Sequence, residues 1–271
     1  VGTLDMRLLA VDTETGKACE GFGERGQVNL LTGMGETVPS FLAITAPVSI
    51  VNDAIVTSQE VRDNQRRWAP SGVVRAYDAE TGQFKWAWDV NRPNNKSEPP
   101  AGESYSRGTP NSWTASVGDD KLGLVYIPMG NSAADHYSAM RSPEENKVSS
   151  AVVALDAKTG DVRWVFQTVH KDVWDMDLGS QPTLMDYPDA SGKAVPAMLI
   201  PTKMGETFVI NRANGQPLSK VEERPVPASE LKDESLSPTQ PFSVDMPRLG
   251  FPDLTEKQMW GLSPIDQLMC S

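Results

Sequence analysis

The stretch Val169–Pro182, VHKDVWDMDLGSQP, sets three carboxylates, Asp172, Asp175 and Asp177, around Trp174, with His170 and Lys171 just before them. The spacing fits neither a helical period nor the alternation of a strand, and Gly179 and Pro182 close the run, so it reads as a loop. Charged loop residues are usually just solvated. A carboxylate held in place can do more: it can take a proton from a bound hydroxyl, or ligate a hard cation.

Five other residues could share such chemistry. Lys203 lies between the apolar run AMLIPT and a glycine turn; it either projects to water or, if buried beside a carboxylate, donates to a developing oxyanion. Asp63 and Asn64 stand among Arg62, Arg66 and Arg67. They form a solvated turn before the strand that opens at Gly72, or an oxygen pair for a cation. Trp113, in PNSWTAS, is a packed core ring or a floor for a planar cofactor. Asn131 ends the apolar run VYIPMGN as a turn residue or as an amide ligand. Taken singly, each leaves both readings open.

Composition narrows the options. A net charge of -11 provides no basic surface for a phosphate backbone, which argues against nucleic acid as a partner. No window approaches the roughly 18 apolar residues of a membrane span, and the first residues lack the basic-then-apolar order of a signal peptide. Cys19 and Cys270 are far apart and outside any CxxC spacing, so neither a zinc site nor a redox dithiol can be read from them. The two histidines, His136 and His170, cannot build a histidine-rich site, so a metal here would rest on oxygen ligands. The chain opens on Val1 and stops at DQLMCS, and residues 1–271 are expected to be an internal segment of a longer protein.

The elements that must position these residues recur along the chain. RLLAVDTETGKACEGF, GVVRAYDAETGQFKWAWD, SAVVALDAKTGDVRWVFQ and a weaker GETFVINRANGQPL each read as a strand, a tight turn and a returning strand. Asp and Gly at the turns supply a side-chain acceptor and a residue that tolerates positive φ. Trp86, Trp88 and Trp164 follow on the returning strands, where large rings can pack between sheets. Repeated antiparallel units of this kind predict an all-β protein, a β-propeller in preference to a β-sandwich. Two long connections, Asn91 to Asn111 and Pro217 to Thr255, separate the repeats.

Taken in order, GVVRAYDAETGQFKWAWD, PNSWTAS, LGLVYIPMGN, TVHKDVWDMDLGSQPTL and PTQPF resemble the pyrroloquinoline quinone (PQQ) dependent dehydrogenases, most of all the bacterial membrane-bound quinoprotein glucose dehydrogenase group. The resemblance runs along the whole chain. It implies an eight-bladed quinoprotein propeller, of which this chain covers about half, holding PQQ and Ca2+ or Mg2+ near its axis. It further implies oxidation of D-glucose to gluconolactone at the periplasmic face of the bacterial inner membrane, with electrons passed to ubiquinone. Quinate, shikimate or polyols are alternative substrates, and a noncatalytic or self-associating propeller segment is the alternative to an enzyme.

Carried over by position, the resemblance makes Asp175 the catalytic carboxylate and Lys203 the lysine that contacts the quinone. Trp113 becomes the ring stacked on PQQ, and Asp63 and Asn64 the metal pair; Asn131 matches a metal ligand of the related alcohol dehydrogenases. Asp172 and Asp177 are expected to be structural or solvated, and His170 a neighbour of the site without a catalytic role.

Overall fold

The computed structural model describes residues 1–250, 255 and 258–270, the last as backbone only, so the side chain of Cys270 lies outside the described part. Three antiparallel meanders follow one another. Ser49–Val51, Ala54–Thr57, Val74–Asp78 and Phe84–Trp88 form a first four-stranded blade. Val117–Asp119, Leu124–Pro128, Ala151–Asp156 and Val162–Gln167 form a second. Thr183–Pro188, Ala194–Pro201 and Thr207–Asn211 form a three-stranded third. A strand pair, Arg7–Leu9 with Gln27–Asn29, precedes them.

The continuous apolar runs have a direct cause. Ala54–Thr57 and Leu124–Pro128 are buried at every position, because neighbouring blades cover both faces of each sheet. Val56, Ala76 and Trp86 of the first blade pack on Ile127, Val153 and Leu155 of the second. Tyr126, Val152 and Ala154, on the second blade's other face, pack on Met198, Phe208 and Ile210 of the third. Cys19 is exposed and unpaired.

The repeated turns are built alike. Asp12, Asp78 and Asp156 each accept from the backbone N–H groups two and three residues on, and the glycines that follow, Gly16, Gly82 and Gly160, have φ of 69°, 70° and 72°. Each large returning ring then covers the turn of the next repeat. Trp86 Nε1 donates to the Ala157 carbonyl at 2.9 Å, and a Cβ at Gly160 would lie 2.5 Å from the Trp86 ring. Trp164 donates to the Arg212 carbonyl and lies in the same way over Gly215.

Two expectations about the repeats need correction. In the first and fourth copies the returning strand shrinks to an isolated bridge, Val11 with Ala18 and Ile210 with Pro217. Both lack the apolar alternation that the second and third copies carry after the turn. The connection from Pro217 is also not all loop: Val221–Pro225 pairs with Thr239–Ser243, which carries all of PTQPF but its first proline. Residues 251–254 of that connection lie outside the described residues.

Antiparallel order places the rest. The segment entering a blade's first strand and the connection from its second to its third strand must emerge at one end, and the Asp-Gly turns at the other. Trp113 and the 169–182 loop are entry segments; Asp63, Asn64, Asn131 and Lys203 are on second-to-third connections. Among the described residues no helix is long and apolar enough to cross a membrane.

Candidate active site

Lys203 closes the turn between the second and third strands of the third blade, and its Nζ reaches across to the entry loop of the same blade. It donates to the carbonyl oxygen and to Oδ1 of Asp175, each at 2.9 Å, and stands 5.7 Å from the centroid of the Trp113 ring. Trp113 is half-buried; its Nε1 donates to Asp177 Oδ2 at 2.9 Å, while its carbonyl accepts from Thr45 Oγ1 at 2.7 Å. Gly179 lies against the ring, where a Cβ would come within 3.0 Å of Trp113 Cη2. One line of contacts thus joins Asp175, Lys203, Trp113 and Asp177.

A third acid joins them. Carboxylate oxygens of Asp135, Asp175 and Asp177 all lie within 4.8 Å of one another. Asp135 and Asp177 are only 2% and 3% exposed, and each has an Oδ1 without a hydrogen-bond partner, as does buried Asn131. Burial pushes the Asp177 carboxyl up to about 7, against the pull of the Trp113 hydrogen bond and the Lys203 charge. Burial likewise raises Asp135, with the Asn131 amide opposing and Asp175 adding to the rise. Burial draws the Lys203 ammonium down, but its bond to Asp175 and the charges of Asp177 and Asp135 outweigh this and hold it above the ordinary range.

Buried oxygens left without donors are costly unless a cation joins them. The donor set here is carboxylate and amide oxygen, which suits a hard divalent ion and does not choose between calcium and magnesium. The half-buried face of Trp113, with an ammonium at its side, likewise suits a flat, anionic ring system. The residues present therefore fit both PQQ and a divalent cation.

The structure brings most of the expected residues to one place, with a change in emphasis. The Asn64 N–H donates to the Ala133 carbonyl at 3.0 Å, and its amide lies 3.5 Å from Asp135 Oδ2. Asp63 sits close enough for burial and then the charge of Asp135 to raise its carboxyl, yet it is outside the three converging acids. His170 faces away, toward Gln167 and Glu223. Asp172 and Asp177 are buried, so neither is solvated. Sequence reasoning missed Asp135 altogether. It stands four residues after Asn131 on the same connection, and nothing in the local pattern separates it from a wet acid.

Blades with ring-over-turn packing and a lysine–carboxylate–tryptophan site at one end define a quinoprotein-type β-propeller. The PQQ β-propeller domain of glucose/ethanol/alcohol dehydrogenases matches residues 1–271, and the chain belongs to the PQQ-dependent dehydrogenase family. It is 64% identical over 270 residues to the glycerol dehydrogenase large subunit of Gluconobacter oxydans (strain 621H), covering 99% of this chain and 36% of that protein. Identity is 43% to the quinate/shikimate dehydrogenase (quinone) of Acinetobacter baylyi, over 99% of this chain and 33% of the relative. It is 40% to the quinoprotein glucose dehydrogenase of Escherichia coli (strain K12), over 98% and 33%. Among solved structures, the quinohemoprotein alcohol dehydrogenase of Comamonas testosteroni superposes with a TM-score of 0.63 at 26% identity, over 90% of this chain and 36% of that one. The chain thus spans about a third of the length of these curated relatives. Glycerol, quinate/shikimate and glucose dehydrogenases are thus all among the relatives, the glycerol dehydrogenase at higher identity than the glucose dehydrogenase.

Proposed function

We propose that this chain is the part of a PQQ-dependent polyol dehydrogenase that carries its proton acceptor, with glycerol or a related polyol as substrate. The observation that carries the chemistry is the Lys203 bridge to Asp175 beside the Trp113 ring. The identity of 64% to a glycerol dehydrogenase, against 40% to a glucose dehydrogenase, favours a polyol over D-glucose.

Lys203 ties down Oδ1 of Asp175 and leaves Oδ2 outside that contact, free to accept a proton from a substrate hydroxyl. The Trp113 ring orients what lies on it, and its bond to Asp177 fixes the ring plane. Asp135, Asp177 and the Asn131 oxygen would hold the cation, with the Asp63–Asn64 pair packed alongside. When bound, PQQ supplies the two-electron acceptor for the hydride leaving the alcohol carbon, and the cation supplies a Lewis acid. Electrons would pass on to ubiquinone at the periplasmic face of the inner membrane; the word quinone in the name of the quinate relative supports no more than an acceptor of the quinone class.

The test is dye-linked turnover by the intact protein loaded with PQQ and Ca2+ or Mg2+, across glycerol, other polyols, quinate and D-glucose. Selectivity for polyols is expected. Selectivity for D-glucose or quinate would keep the chemistry and overturn the substrate, and no PQQ-dependent turnover with any of them would overturn both.

A further inference from the structure

We propose that Asp172 is the positioning residue for Asp175: its buried carboxylate holds the backbone N–H groups of Trp174 and Met176, the residues on either side of Asp175, and so the direction in which that side chain leaves the backbone. The inference rests on the reading of Asp175 as the proton acceptor.

Asp172 is fully buried. Its Oδ1 accepts from the Trp174 N–H at 2.8 Å and its Oδ2 from the Met176 N–H at 2.7 Å and from Ser150 Oγ. The two amides flank Asp175 in the chain, and Asp175 has φ of 60°. A residue with a Cβ keeps that left-handed conformation only where its surroundings over-determine it. Here they do so from both sides. Asp172 holds the flanking amides, and Lys203 holds the Asp175 carbonyl.

Asp172 is itself anchored. Its carbonyl accepts from Arg141 Nη1, and Arg141 Nη2 donates to the carbonyls of Ala134 and Asp135. Among the described residues this buried guanidinium makes no ion pair, and both of its Nη groups serve backbone carbonyls, while its Nε has no hydrogen-bond partner. The same side chain therefore ties the loop of Asp175 to the loop of Asp135. Sealed from solvent, Asp172 cannot reach a substrate, and its influence runs through the loop.

In the intact PQQ-loaded protein, Asp172→Ala is expected to lower kcat about 100-fold while changing KM and the PQQ dissociation constant by less than about threefold. Asp172→Asn, which keeps an amide oxygen for one of the accepted bonds, should recover part of that loss. Amide hydrogen exchange at Trp174 and Met176, read in cofactor-free protein, should accelerate at least about tenfold in Asp172→Ala and stay as in the wild type in Asp175→Asn. Wild-type kcat or unchanged exchange in Asp172→Ala would overturn the inference. If Asp172→Ala does not fold, Asp172→Asn with wild-type kcat and exchange overturns it instead. Full turnover in Asp175→Asn would remove the proton-acceptor reading, while the exchange measurement would still report whether Asp172 orders the loop.

Discussion

Lys203 donates from one ammonium to both the carbonyl oxygen and the Oδ1 of Asp175, each at 2.9 Å. The two side chains are 33% and 48% exposed, and an ion pair this open contributes at most about 1 kcal/mol to stability. Its value is geometric. It aims a carboxylate and places a positive charge beside the Trp113 ring. Lys203→Met is therefore expected to lower kcat at least about 100-fold, while the denaturation midpoint moves little. A large fall in stability with normal kcat per folded molecule would show that the pair serves the fold.

The pH dependence of stability carries the mark of Asp177. Its folded-state value of about 7 lies above the ordinary 3.8, so in the window between them the folded protein keeps a proton that the unfolded chain has released. Stability from this group is fully present below the unfolded value and is lost as pH rises through the folded one, by at most about 1.4 kcal/mol per pH unit. Asp177→Asn cannot titrate and keeps an oxygen for Trp113 Nε1. In cation-free protein, the variant should gain on the wild type as pH rises from about 4 to about 7 and hold that gain above it. Urea denaturation across this range measures it, and a pH-independent difference would contradict the assignment.

Cation binding separates two ligand sets. The resemblance points to Asp63 and Asn64 with Asn131, whereas the buried oxygens left without donors belong to Asp135, Asp177 and Asn131. Asp135→Asn is expected to weaken Ca2+ binding at least about tenfold, and Asp63→Asn less, by calorimetric titration. A larger effect at Asp63 would return the site to the pair read from sequence.

The repeats were legible because each unit shows its parts locally. Asp78, Gly82 and Trp86 announce the turn and the ring that follows it. What Trp86 covers is not local: its partner Gly160 lies on the next blade, and only the stacking of blades brings them together. The site divides in the same way. Asp175, Lys203 and Trp113 stood in recognisable motifs. Asp135 and Asp177 became site residues only when two connections closed at one end, burying oxygens that look solvated in sequence. The returning strands of the first and fourth copies failed because a turn signal alone does not supply the apolar face a strand must bury.

Gly160 tests the packing between blades. With φ of 72° and a Trp86 ring where a Cβ would go, it has no room for a side chain. Gly160→Ala is expected to destabilise the protein by about 1–3 kcal/mol, read as a lower denaturation midpoint with an unchanged slope. An unaltered midpoint would mean that the ring docks elsewhere.

The most direct test of the central claim is turnover by Asp175→Asn in the intact protein loaded with PQQ and divalent cation, with cofactor binding followed by absorption. The predicted result is a kcat lowered by about 100-fold or more with PQQ still bound. Wild-type kcat with normal PQQ binding would contradict the assignment of Asp175 as proton acceptor.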